Sequence, residues 1–150
     1  MSWVTEAQVE GELSYEITTL TQPTTAEVAT FILAIEAQVQ GILNSVKINP
    51  AGITESGTPN TFLVVQQWAL WGVCARVIAA AGGLIRSQPQ KERNYWDRYN
   101  TCWHEIKEDP NTLGTDAPFY TGDTNMIWPD GIVSTDADYN TPEFTMDMEF

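Results

Sequence analysis

The sequence predicts an all-α fold: a small bundle of three main helices plus a short N-terminal helix, followed by a long, extended acidic C-terminal arm. Three observations carry that reading. Long apolar patterns between Thr24 and Glu108 are opened by capping threonines or prolines and closed by polar, Gly- or Pro-containing runs. Beyond Asn111, Pro118, Gly122, Pro129-Asp130-Gly131 and Pro142 forbid a long helix. Charge is also split along the chain. Every Lys and Arg lies between Lys47 and Lys107, whereas the last forty-three residues have none and carry ten Asp or Glu. The same stretch holds Phe119, Tyr120, Trp128, Tyr139, Phe144 and Phe150. A purely solvating acidic tail has no large apolar side chains to bury. This one reads as an arm without a core of its own that docks on another surface, which divides the chain into a helical bundle domain (1–110) and an acidic, aromatic interaction arm (111–150).

The elements follow in order. Thr5 caps a short helix to about Leu13, with Glu6 favourable in its first turn and Val9 and Leu13 as its apolar edge. Residues 14–23 read as a connection. Thr24 or Thr25 caps a helix to about Val46, in which Val28, Ile32, Ile35, Val39, Ile42, Leu43 and Val46 keep the 3.6-residue period. Lys47 at its end suits the helix dipole. Residues 48–58 are loop by their Gly, Pro, Ser and Asn content. Pro59 suits a first helical position, and from Phe62 to Ile85 the chain is apolar nearly all round, as expected of a central helix wrapped by others. A membrane span is the alternative, but Arg76 sits mid-span and no basic flank orients insertion, so no membrane partner is expected. Gly82-Gly83 ends or loosens this helix. Ser87 and Pro89 start the last helix, which places Tyr95, Trp96, Tyr99, Trp103 and Ile106 on one face, pairs Arg93 with Asp97 on another, and stops at Asp109-Pro110.

Composition narrows the function. At 150 residues the chain is long enough for a real core, but charged residues are only 18%, so part of its surface is expected to be covered by something other than water. A net charge of −13 argues against general phosphate binding. The opening MSWVTEAQVEGEL lacks a basic region followed by an apolar run, which predicts a cytoplasmic protein. Catalytic motifs are missing: there is no G-x-S-x-G, phosphate-binding G-x-x-x-x-G-K-[ST] or G-x-G-x-x-G, and His104 has no matched constellation. Neither an enzyme nor a cofactor is expected. Cys74 and Cys102 read as reduced, buried thiols without the close partners a zinc site needs. Asp136, Asp138 and Asn140 match the first ligand positions of a calcium loop, with Asp147 at the twelfth. Thr141 replaces the glycine of the sharp turn and Pro142 follows, so no metal site is expected. Trp68, Trp71, Trp96 and Trp103 lie on helix faces as core or subunit contacts, whereas Trp3 and Trp128 lie outside the helices, where aromatic anchors serve interfaces. Arg76 is either buried against a carboxylate such as Glu36 or lines a subunit boundary.

Trp3-Val4-Thr5, the short Val9/Leu13 helix, the Thr24-capped helix, and the Ala-rich helix with Ala69-Leu70-Trp71-Gly72 and Ala75 together resemble the head–tail adaptor (connector) proteins of tailed bacteriophages, over about residues 3–108. The resemblance implies a structural virion protein, assembled in the host cytoplasm, forming a homo-oligomeric ring beneath the portal. Its partners would be the portal and a tail-side neck or tail-terminator protein, with DNA passing through the ring without specific binding. Members of that family often end soon after the last helix, so the arm from Asn111 is a departure. The expected interface residues are Trp3, Arg76, Phe119, Tyr120, Trp128, Tyr139, Phe144 and Phe150. The competing reading is an acidic binding module, a nucleic-acid mimic or chaperone that docks on a basic partner. Mimics display charge over a folded surface, whereas here it concentrates at the ends.

Overall fold

In the structure, a computed structural model that describes residues 2–82 and 88–120, the first two helices open by the same device. The Thr5 hydroxyl accepts from the Gln8 N–H while the Gln8 side chain accepts from the Thr5 N–H, starting α1 (Glu6–Leu13). Thr24 and Glu27 repeat the exchange at the start of α2 (Thr25–Ser45). Each box satisfies donors that a helix start leaves orphaned. The Thr24 backbone N–H donated to Glu27 also holds that carboxyl below its usual pKa.

α2 buries Val28, Ile32, Ile35, Val39 and Leu43, the stripe its period predicts. It ends by turning sharply at Lys47, whose φ of 63° is left-handed. The Lys47 N–H reaches the Asn44 carbonyl and the Ile48 N–H reaches Leu43, with Ile48 and Leu43 both fully buried. That is a Schellman close with its hydrophobic contact. It sends Ile48 inward, and a 3-10 turn (Pro50–Gly52) then brings Ile53 in after it.

α3 (Pro59–Ala80) is the hub, packed on by α1, α2 and α4 (Gln88–Glu108). By length and composition α2 and α3 could each cross a membrane; here α3 is covered by protein, with Trp68, Val73, Val77 and Ile78 fully buried. It stops where Gly82 adopts a left-handed φ of 59°. Gly72 lies where three helices meet. A Cβ there would stand 2.9 Å from the Tyr99 ring and 3.0 Å from Ile35 Cγ2, so the absent side chain is what lets α2 and α4 close on α3. The Trp68 indole N–H donates to the Tyr99 carbonyl at 3.1 Å, and Tyr99 packs edge-on against Trp96. The described residues therefore form the expected helical bundle of three long helices and one short one.

The packed body extends past the boundary drawn at residue 110. A 3-10 turn (Pro110–Leu113) places Leu113 fully inside. Pro118 accepts from the Asn49 N–H at 2.8 Å, and Phe119 pairs with Ile48 in an isolated antiparallel bridge. The first compact unit runs to Phe119. Thr58, which precedes α3, makes no side-chain cap; its hydroxyl closes the 53–58 turn onto Thr54 instead. Asp116 caps α3 from a distance, taking the Asn60 and Thr61 N–H groups at 2.9 and 3.0 Å and the Thr61 hydroxyl at 2.7 Å.

Candidate interaction surfaces

The side chains capable of chemistry are either quiet or otherwise engaged. Cys74 and Cys102 are free. Burial, reinforced by Glu12 and Glu105 respectively, pushes each thiol up to about 12, which removes the reactive thiolate at neutral pH. His104 is exposed and lies flat on Trp103 with ring centroids 5.7 Å apart. Among the described residues no three His, Cys, Asp or Glu converge as metal ligands; the calcium-like run 136–147 lies outside them.

The expected interface residues separate. Trp3 is only 3% exposed and belongs to the core. The cause is Glu36, whose Oε1 accepts from the Ser2 hydroxyl and from the Trp3 and Val4 N–H groups, while Gln66 donates to the Trp3 carbonyl at 2.8 Å. The N-terminal strand of chain is thereby laced onto α2 and α3, and the indole follows its backbone inward. Glu36 thus serves the N-terminus, and Arg76 stands half-buried on α3. Phe119 and Tyr120 are 42% and 53% exposed. Trp128, Tyr139, Phe144 and Phe150 lie outside the described residues.

Grooves flank α4 on two sides. Between α3 and α4, Leu63, Val64 and Trp71 face Arg98, Thr101 and Cys102 across an open, mainly apolar groove of about 590 Å³. Leu63 is 60% exposed at its edge, and the Arg98 guanidinium sits 5.8 Å from the Trp71 ring centroid, a cation–π distance. Asp97 and Glu105 add acids to the rim. Between α2 and α4, Ile42 and Gly41 face Tyr99, Trp103 and Lys107 across a second groove of about 510 Å³. The first groove therefore joins an apolar floor to one cation and two acids, and the second carries one cation.

α4 mixes cations with the acids Glu92, Asp97, Glu105 and Glu108 and is formally neutral. Of the six Lys and Arg in the described residues, Lys91, Arg93, Arg98 and Lys107 are on α4; Lys47 and Arg76 are the other two. On the opposite side of α2, Leu33 stands 68% exposed. Sequence periodicity misses the grooves because α3 is apolar almost all round, so Leu63 looks like any core leucine. α4 packs closely on α3, with Tyr99 against Trp68 and Gly72, so its polarity gave no signal of the uncovered Leu63.

No family model, curated protein or solved structure matches this chain.

Proposed function

We propose that the chain is a structural virion protein, a ring-forming head–tail adaptor that sits beneath the portal, joins the head to the tail and lets DNA pass. The observation that carries this reading is the open apolar groove between α3 and α4, with Leu63 exposed at its edge on an otherwise well-packed helical body. A contiguous apolar groove on a small soluble body marks a surface meant to be covered. Its neighbours on the same body, Leu33 on charge-poor α2 and Trp103 on α4, give further apolar contact area for subunits arranged around an axis. A net charge of −13 suits a channel wall that repels a translocating duplex and does not hold it. In this reading the partners are further copies of the chain, the portal, and a tail-side neck or tail-terminator protein, with assembly in the host cytoplasm and residence in the virion.

The test is a native mass measurement of the chain mixed with a candidate portal protein from the same source. The adaptor reading expects a portal complex carrying many copies of the chain. A small complex with a single basic protein, and none with the portal, would overturn it in favour of an acidic binding module.

A further inference from the structure

We infer that two copies of this chain pair through the α3–α4 groove, with α4 of each running antiparallel to α4 of the other, so that Arg98 of each copy meets Glu105 of its partner. The inference goes beyond the ring reading and does not rest on it, because a two-fold contact closes on two chains and does not propagate around an axis.

Charge on the α4 wall of the groove is arranged for such a contact. Asp97 has Arg93 four residues before it, a pairing distance on a helix surface. Arg98 and Glu105 have no opposite charge at that spacing. The residues three and four away from Arg98 are Asn94, Tyr95, Thr101 and Cys102, and those around Glu105 are Thr101, Cys102, Glu108 and Asp109. Both side chains are exposed, and both line the groove. They are seven residues apart, which is two turns or on the order of 10 Å along the axis, so they share a face but are too distant to pair with each other. A second α4 laid antiparallel on that face, with the two-fold axis between Thr101 and Cys102, reverses their order and sets cation against anion at two places. A parallel copy in the same register would set like against like.

The rest of the groove suits the same occupant. Leu63, Val64 and Trp71 give the contact an apolar part, with Leu63 60% exposed. The Arg98 guanidinium lies over the Trp71 ring, which holds it at the rim where the partner's Glu105 arrives. In an isologous contact every such feature is used twice. A face that is neutral on its helical wall, self-complementary in charge and partly apolar fits a second copy better than it fits a strongly charged partner. The ring reading needs the same groove covered, so pairing and entry into a ring are alternatives for one chain.

The test is sedimentation equilibrium of the full chain at low salt, with native mass to identify the species. The parent should be a dimer. Arg98→Glu and Glu105→Arg each place like charges together at both ends of the contact, so each alone should raise the dimer Kd at least about tenfold. Circular dichroism should be unchanged, because both positions are exposed. Mixing the two variants should restore pairing as a mixed dimer with one chain of each, since every reversed charge then faces its opposite. Damage within a chain could not be recovered by mixing. A parent that stays monomeric to concentrations on the order of 100 µM overturns the inference. So do reversals that leave the Kd unchanged, and so does a mixture that stays monomeric; all three leave the ring reading to its own test with the portal. A parent that closes into rings of many copies by itself overturns the inference and supports the ring reading.

Discussion

Replacing Glu36 should detach the N-terminus from the bundle. The carboxylate is 4% exposed, and one oxygen takes three donors: the Ser2 hydroxyl at 2.9 Å, the Val4 N–H at 3.0 Å, and the Trp3 N–H. In Glu36→Ala the two backbone N–H groups, both buried, lose their acceptor, and each costs about 1–3 kcal/mol if it stays inside. The Ser2 hydroxyl is exposed and can turn to water, so it adds little. The sum is about 2–6 kcal/mol. The chain can avoid part of this by releasing residues 2–4, but it then forfeits the burial of Trp3 and Val4, which is of similar size at about 1.5–3 kcal/mol for each large side chain. Both routes converge on a loss of about 3–5 kcal/mol, a large fraction of the 5–15 kcal/mol typical of a domain. Glu36→Gln keeps a carbonyl acceptor in place and should cost only about 1–2 kcal/mol. Urea unfolding followed by tryptophan fluorescence measures both variants, and hydrogen exchange at residues 3 and 4 shows whether the N–H groups are exposed. An alanine variant within about 1 kcal/mol of the parent, or a glutamine variant as damaged as the alanine one, would refute the reasoning.

Three further outcomes follow from other contacts. Gly72→Ala forces a methyl to within 2.9 Å of the Tyr99 ring; overpacking of about 1–3 kcal/mol should outweigh the gain of up to about 1 kcal/mol in helix propensity, giving a net loss in thermal unfolding. Asp116 has its carboxyl pKa lowered, first by the Thr61 hydroxyl and then by the Asn60 and Thr61 N–H groups. A lowered folded value stabilises above the ordinary pKa of 3.8 and is lost as pH falls through the folded one, so Asp116→Asn should be less stable than the parent at pH 6 and the gap should close below pH 3.8. Cys74 and Cys102, with thiols pushed up to about 12, should resist iodoacetamide at pH 8 in the folded protein and react promptly in urea.

Local patterns carried much of the fold, and long-range ones did not. Thr24 with Glu27 three residues on is a helix start whose partners lie within one turn, so the sequence shows it directly. Ile48 and Ile53, by contrast, are fully buried from a stretch rich in turn residues, where no periodicity marks an inward side chain. Asp116 reads as one more acid of the C-terminal arm until its position over α3, fifty-five residues from Thr61, is known. Trp3 follows the same logic, because its burial depends on Glu36 and Gln66, thirty-three and sixty-three residues away. The groove was hidden for a different reason. An all-round apolar helix does not announce which leucine its neighbours leave uncovered, and Leu63 is distinguished only by where α4 lies.

The distant cap on α3 has a consequence for synthesis. Translation proceeds at about 5–20 residues per second, so Asp116 leaves the peptidyl-transferase centre roughly 3–11 s after Thr61, the residue it caps. During that interval α3, one of two strongly apolar helices among the described residues, exists without its cap, and for most of it without α4 as cover. The pairing of α4 with α3, and with it the Trp68–Tyr99 contact, is therefore postponed until α4 has been made. A stalled or prematurely released nascent chain ending before residue 116 leaves a long hydrophobic helix open to chaperones and to aggregation, which makes the interval between residues 61 and 116 the critical stage for recovering folded protein.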